Sequence, residues 1–390
     1  MANLWIIGGS GNDSLVGGSD GDRLDGLDGN DILRGGNGDD NNLFRYFPAV
    51  DEFANGGLYG GNGNDQLFGE VGNDWLFGEA DNDTLNGGDG DDYLNGGTGI
   101  NSIIGGAGND AIALDFSAAT TGITINYTVT TNGTVSNGST FREIESVGIK
   151  TGSGNDNIVV SATTLSNLIR TSVGNDTIIS GAGSDRLEGG DGNDILRGGN
   201  GDDNNLFQKF AGADEFANGG LYGGNGNDQL FGEVGNDWLF GEADNDTLNG
   251  GDGDDYLNGG NGNDTLTGGA GTDRFVFDTG LAFTTNFIGS DRITDFISST
   301  DKIVLDKTTF TALISNAGAN INSSEFAVIN EAVNGGSLAG TSVAKIVFNR
   351  FNGDLFYNQD GTTAGLGSGG LFATLAGVSS LTTNDLQIVA

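Results

Sequence analysis

The chain has 390 residues, of which 74 are glycine and one is proline (Pro48), with no cysteine, no histidine and a formal charge of −39. Without His or Cys there is no His-based general base, no thiol nucleophile, no disulfide and no zinc site of the usual His/Cys kind. The charge argues against nucleic acid or an anionic membrane as partner and makes cations the natural one.

At the start, MANLWIIGGSGND offers only Leu4 to Ile7 as consecutive apolar residues, with no basic stretch before them, so it does not read as a secretory signal peptide. No segment approaches the ~18 to 20 apolar residues of a membrane span, and no membrane insertion is expected.

From Gly8 onward the chain runs on a nine-residue clock, clearest in GGNGNDQLF GEVGNDWLF GEADNDTLN GGDGDDYLN (60–95), with aspartate at the sixth place and leucine at the eighth. The phase-six residues of the first ladder, spanning 1–113, are Asp13, Asp22, Asp31, Asp40, Asp65, Asp74, Asp83, Asp92 and, after Asn101, Asp110. A polar, β-branched segment (114–150) follows, in which ITINYTV and FREIESVGI alternate like short strands that bridge the ladders. The second ladder, spanning 151–276, carries Asp176, Asp185, Asp194, Asp203, Asp228, Asp237, Asp246, Asp255, Asp264 and Asp273, while Asp156 stands out of register.

Residues 23–97 recur as 186–260 with only seven substitutions, five of them in a short insert, 44–59 in one copy and 207–222 in the other. By sequence spacing, Asp40 and Asp203 lose their next-coil partner where the inserts intervene. From about Phe277 glycine thins. DRITDFISSTDKIVL (291–305) and KIVFNRFNGDLFYNQDG (345–361) then predict strands in a C-terminal β-domain (277–390), with a type I′ hairpin at Asn352-Gly353.

A nonapeptide such as GGDGDDYLN (87–95) divides into a six-residue turn, where glycine takes conformations closed to other residues, and a three-residue strand that points Leu94 inward. Two such units make an 18-residue coil, and stacked coils give two parallel sheets around a thin leucine core. Stacking also sets aspartates of successive coils ~5 Å apart, where carboxylates repel. A hard dication relieves this: Ca²⁺ accepts six to eight oxygens in flexible geometry, whereas Mg²⁺ holds its waters and wants an octahedron. One ion between each pair of stacked turns would amount to about 15 to 20 ions and roughly +30 to +40 of charge, comparable with that of the chain.

The pattern is G-G-x-G-x-D-x-U-x, and over 8–113 and 151–276 the chain closely resembles the RTX (repeats-in-toxin, haemolysin-type calcium-binding) family. The resemblance implies an all-β fold with a parallel β-roll in two copies and Ca²⁺ held by the phase-six aspartates and turn carbonyls; Asn101 weakens one site, and GEVGND and GEADND depart from the pattern by replacing glycines. The stretch ending in LTTNDLQIVA resembles the β-rich tail of type I secretion substrates, which implies export by that machinery to the cell exterior or surface.

Rolls of this family are often joined to enzymes or toxins. Here there is no HExxH and no long amphipathic or apolar helical region, so neither an enzyme nor a pore-forming toxin is expected. A structural or adhesive protein is the leading expectation, with binding of cell-surface polysaccharide as the alternative. Trp75, Phe77 and Tyr93, repeated as Trp238, Phe240 and Tyr256, should share one outer face, either stacked on sugar rings or covered by the insert through Phe44, Phe47 and Phe53.

Overall fold

The computed structural model describes residues 4–19, 21–38, 40, 45–47, 52–54, 57–130, 132–203, 208–209, 216–217, 220–331, 342–360, 366 and 369–390. They fall into two compact units, one built mainly from Met1–Ser172 with Thr177–Gly183, the other mainly from Ser184–Asn205 and Gly219–Ala390 with Val173–Asp176.

In the first unit every second strand stacks in parallel on the one a coil earlier. One sheet runs through Trp5–Ile7, Arg23–Asp28, Gly57–Asn62, Trp75–Ala80, Tyr93–Asn95, Ala111–Phe116, Ser146–Thr151 and Leu168–Arg170. The other runs through Ser14–Val16, Ile32–Asn37, Gln66–Val71, Thr84–Asp89, Ser102–Ala107 and Thr140–Arg142. Register is identical from coil to coil: Leu67 pairs with Leu85 and Leu76 with Leu94. The phase-eight leucines Leu24, Leu33, Leu58, Leu67, Leu76, Leu85 and Leu94 are therefore fully buried, all at 0% exposure, each contributing roughly 1.5–3 kcal/mol, while Leu15 in the first coil is half-buried.

The second unit repeats this plan with Arg186–Asp191, Gly220–Asn225, Trp238–Ala243, Tyr256–Asn258 and Arg274–Phe277 in one sheet. Ile195–Asn200, Gln229–Val234, Thr247–Asp252 and Thr265–Ala270 form the other. The stacking then passes into the C-terminal region, where Lys302–Asp306 and Leu386–Val389 extend the first sheet and Asp291–Ile293 and Gly370–Leu375 the second. Phe283, Phe310, Tyr357 and Phe372 pack edge to face behind them as a conventional aromatic core.

Three expectations change in detail. Most ladder strands run six residues rather than three, because pairing resumes on the second and third residues of the next repeat: Gly88 pairs with Glu70 and Asp89 with Val71. The first glycine of each repeat is skipped by that pairing. The hairpin at 345–361 forms, but Asn349 pairs with Asp354, leaving a four-residue loop in place of a two-residue I′ turn. Buried Asn349 sets that loop, since its Oδ1 accepts from the Phe351 amide and its carbonyl from the Gly353 amide.

Each insert contributes a short antiparallel backbone pair, Arg45–Phe47 with Glu52–Ala54 and Gln208–Lys209 with Phe216–Ala217. The side chains of Phe44, Phe47 and Phe53, on which the covering expectation rests, lie outside the described residues. Among the described residues no helix is long and apolar enough to cross a membrane.

The turns need glycine at specific places. At Gly226, with φ 132°, an added Cβ would fall on the Gly192 carbonyl of the preceding coil. Where other residues replace glycine the backbone keeps its left-handed shape, as at Asp81 (φ 78°) and Asp244 (φ 79°), at a cost of about 1–2 kcal/mol each. We therefore expect Gly226→Ala to destabilise the calcium-loaded protein by about 3 kcal/mol and Asp244→Gly to stabilise it by about 1 kcal/mol. Denaturant unfolding in calcium checks both, and equal midpoints for the two variants would contradict this account of the turns.

Candidate metal centre

The phase-six aspartates form two unbroken ladders in each unit. In the first unit the Asp13 amide donates to Asp31 Oδ1 (2.7 Å), Asp31 to Asp65 (2.6 Å), Asp65 to Asp83 (2.8 Å) and Asp83 to Asn101 (2.8 Å). Along the opposite edge the series runs Asp22, Asp40, Asp74, Asp92 and Asp110. In the second unit the series are Asp176, Asp194, Asp228, Asp246, Asp264 and Asp185, Asp203, Asp237, Asp255, Asp273.

The expectation that Asp40 and Asp203 lack a next-coil partner is overturned. Asp40 donates to Asp74 Oδ1 and Asp203 to Asp237 Oδ1, both at 2.9 Å and 34 residues apart. The 16-residue insert adds to the usual separation of 18 without breaking the stack.

One oxygen of each carboxylate is thus committed to the ladder. The other, Oδ2, is buried without a hydrogen-bond partner in Asp31, Asp65, Asp83, Asp92 and Asp110, and in Asp194, Asp228, Asp237, Asp246, Asp255 and Asp264. It faces another acceptor. A Cβ built on Gly60 would lie 2.5 Å from Asp65 Oδ2 and 2.8 Å from the Gly78 carbonyl oxygen, and Gly78, Gly87, Gly241 and Gly250 show the same arrangement. The phase-one glycine that strand pairing skips keeps this cradle open, with a carboxylate oxygen and a main-chain carbonyl oxygen side by side and no donor between them.

Two acceptors facing each other in a buried space fit a hard cation. Among the described residues no group of three or more acidic side chains converges as a carboxylate cage would, so an ion here must draw on main-chain oxygens. A buried carboxylate without counter-charge costs several kcal/mol, more than the leucine of its own repeat contributes. The ladder therefore closes with a proton or a cation in each cradle.

Electrostatics agree. Burial first, with neighbouring carboxylates adding and the amide of the adjacent rung opposing, lifts Asp83, Asp92 and Asp110 to about 7 from an ordinary 3.8. For the same reasons Asp194 rises to about 7 and Asp246 to about 8, and burial lifts Asp237 to about 7.

The departures are informative. Asn101 Nδ2 donates to the Gly96 carbonyl (2.9 Å), so an amide hydrogen takes the place of a cation and that rung is neutral. Asp13 and Asp22, in the first coil, turn Oδ2 onto the Gly9 and Gly18 amides, both at 2.6 Å. Asp156 accepts from the Ile123 amide (2.7 Å) and from the Thr151 hydroxyl.

Several rungs are not phase-six aspartates of the ladders and were not expected. Ser139 Oγ and Glu145 Oε2 accept from the Asn101 and Asp110 amides at 2.9 Å and close the first unit's ladders. Asp291 and Asp301 do so in the second, at 3.0 and 3.2 Å. The signal was the triplet D-x-I, present as Asp291-Arg292-Ile293 and Asp301-Lys302-Ile303 but displaced from the 18-residue spacing. A second, exposed ladder uses phase-five side chains: Asn227, Asn245 and Asn263 each accept the amide one coil later, at 2.9–3.0 Å.

The aromatic face forms as expected in both units. Tyr59 stacks on Phe77 (4.9 Å) and Trp75 lies 6.2 Å from Tyr93; Tyr222 stacks on Phe240 (4.8 Å) and Trp238 lies 5.8 Å from Tyr256. Arg23 and Arg186 cap these stacks over Tyr59 and Tyr222.

A family model for the RTX calcium-binding nonapeptide repeat, in four copies, matches residues 7–41, 59–94, 86–116, 171–204, 222–257 and 249–280. The chain carries RTX calcium-binding nonapeptide repeats, which bind Ca²⁺ at multiple sites. Among solved structures it is similar to the extracellular lipase LipA of Serratia marcescens, at 19% identity over 83% of this chain, with a TM-score of 0.20. The chain spans 40% of that lipase's length. No curated protein matches the chain.

The raised carboxyls fix the sign of the pH response. The folded roll binds more protons than the unfolded chain, so calcium-free stability is fullest below about 3.8 and is lost as pH rises through about 6 to 8. In a chelator, lowering the pH from about 8 to 5 is expected to increase β structure, and calcium affinity should fall over the same interval. Circular dichroism reads the first and a calcium titration the second; β structure that diminishes on acidification would contradict it. Asp246→Asn, which can donate to the Gly241 carbonyl as Asn101 does to Gly96, should bind one calcium fewer and be more stable without calcium. An unchanged stoichiometry would count against the cradle at Asp246.

Proposed function

We propose that the chain is a secreted protein whose two rolls fold on extracellular Ca²⁺ and serve a structural or adhesive role at the cell surface or outside the cell, without an enzymatic activity of its own. The observation that carries this is the buried Oδ2 facing a main-chain carbonyl, repeated from coil to coil. In this reading the ligands are Asp31, Asp40, Asp65, Asp74, Asp83, Asp92 and Asp110, then Asp176, Asp185, Asp194, Asp203, Asp228, Asp237, Asp246, Asp255, Asp264 and Asp273. Each would act with the first-glycine carbonyls of its turn. Asp13 and Asp22 complete the set as end sites that must first release the Gly9 and Gly18 amides.

Calcium is here a folding ligand. An ion that binds only the folded state adds RT ln(1 + [L]/Kd) per site, so many weak sites make a steep switch. With dissociation constants of ~10⁻⁴ to 10⁻³ M, typical of extracellular modules, the rolls would stay open inside a cell and close outside it. That suits passage through a type I secretion channel, which the β-rich C-terminal region would address. The absence from the sequence of His, Cys and an HExxH motif supports the non-enzymatic reading.

Millimolar Ca²⁺ added to the chelated protein at pH 8 is expected to produce a cooperative coil-to-β transition. Separately, the protein should be found in the medium or on the cell surface, without hydrolase or lytic activity. A chelated protein that already shows the full β spectrum removes the folding switch, and hydrolysis or lysis by purified protein removes the structural role.

A further inference from the structure

In the second unit a cleft of about 230 Å³ opens beside the aromatic face, lined by Phe240, Glu242, Asn258, Asn261, Asp278 and Thr279. Its position follows from register: Asn258 pairs with Phe240 one coil away, and Ala243 bridges to Asn261. Phe240 is braced by Tyr256 (5.6 Å) and Tyr222 (4.8 Å), so its ring is held in place. Asn258 Oδ1 and Asn261 Oδ1 are both buried and have no hydrogen-bond partner, while Asn258 Nδ2 reaches the Asp278 carbonyl (3.3 Å). Two unanswered amide oxygens in one cleft are a standing cost that a ligand bearing hydroxyl donors would relieve.

The first unit does not repeat the arrangement. There Asn95 Oδ1 accepts from the Gly97 amide (2.9 Å), Thr98 stands where the second copy has Asn261, and Asp115 Oδ1 accepts from the Ser117 amide (2.9 Å). The copies match almost residue for residue as far as Gly97 and Gly260, and diverge where the second forms this cleft.

We infer that this cleft is a subsite for one neutral hexose unit, with Phe240 under the apolar face of the sugar ring and the Asn258 and Asn261 oxygens accepting from its hydroxyls. Its volume, below the ~300–1,000 Å³ of drug-sized sites, suits a single ring. The mix of one fixed aromatic and several acceptors matches a pyranose, which offers a C–H face on one side and hydroxyl donors around its edge. Glu242 and Asp278 in the lining disfavour uronic or sulfated sugars. A small cation is the competing occupant, since Glu242, Asp278 and the two amide oxygens all offer it ligands, and the calcium count in the variant below tells the two apart. The inference deepens the adhesive reading above and rests on the calcium-folded roll.

The test uses the full chain in millimolar calcium, its fold checked by circular dichroism so that failed folding is told apart from failed binding. The probes are methyl β-glucoside, methyl α-mannoside and methyl β-galactoside, with methyl glucuronide as the anionic control, read by saturation-transfer NMR and titration. We expect saturable binding of at least one neutral glycoside and none of the glucuronide. Phe240→Ala, and independently Asn261→Thr, which installs the first copy's residue, should each weaken it by roughly tenfold or more, while Phe77→Ala leaves it unchanged. Folded protein that binds no neutral glycoside overturns the inference. So does equal binding by Asn261→Thr, or the loss of one bound calcium in that variant.

Discussion

The structure depends on one constraint: along the ladders, buried carboxylates such as Asp65, Asp83, Asp92, Asp237 and Asp246 have only half of their hydrogen bonding satisfied by the chain. Oδ1 is held by the amide of the neighbouring rung, and Oδ2 looks onto a carbonyl. The leucine core is thin, one residue per nonapeptide, and cannot outweigh an uncompensated buried charge at each turn. Whether the roll exists is therefore decided at the turns, by what neutralises Oδ2. The glycines are subordinate to the same constraint, because the phase-one glycine leaves the cradle open and the left-handed positions let the turn close around it.

Seen this way the irregular rungs have a common logic. Asn101, Ser139 and Asn167 place neutral side chains at or beside the end of the first ladder; Asn167 accepts the Val147 amide (3.0 Å) and donates to Thr163 and Ser180. They continue the stacking with hydrogen bonds alone. Asp301 closes the second ladder in a related way, its Oδ1 taking the Asp273 amide and its Oδ2 the Ile297 amide (2.6 Å). Ser139 and Asp301 thus end their ladders without calling for a cation, whereas Glu145 and Asp291 end theirs with a carboxylate.

Much of this was legible in the sequence, because a nine-residue period with fixed chemistry leaves little freedom. Aspartate at phase six, leucine turned inward, stacking at 18 residues and the shared face of Trp75, Phe77 and Tyr93 all follow from period-two strands on a regular coil. What escaped had two causes. Counting separations along the chain made the insert look like a break at Asp40, although the backbone leaves and rejoins the stack at the same rung. Rungs such as Glu145 and Asp291 sit at irregular separations, so only the local D-x-I triplet or its variant marks them. The Oδ2 cradle, the pairing that skips the first glycine and the unanswered oxygens of Asn258 and Asn261 depend on side-chain geometry that no pattern of residue types specifies.

The central claim is that calcium closes the ladders and that nothing else in the chain can do so at neutral pH. Amide hydrogen exchange on the full chain at pH 7.5 to 8, in chelator and in millimolar calcium, tests it most directly. The account predicts that peptides covering 60–95 and 223–258 pass together from unprotected to strongly protected when calcium is added. Protection of those peptides to the same degree in chelator would contradict it.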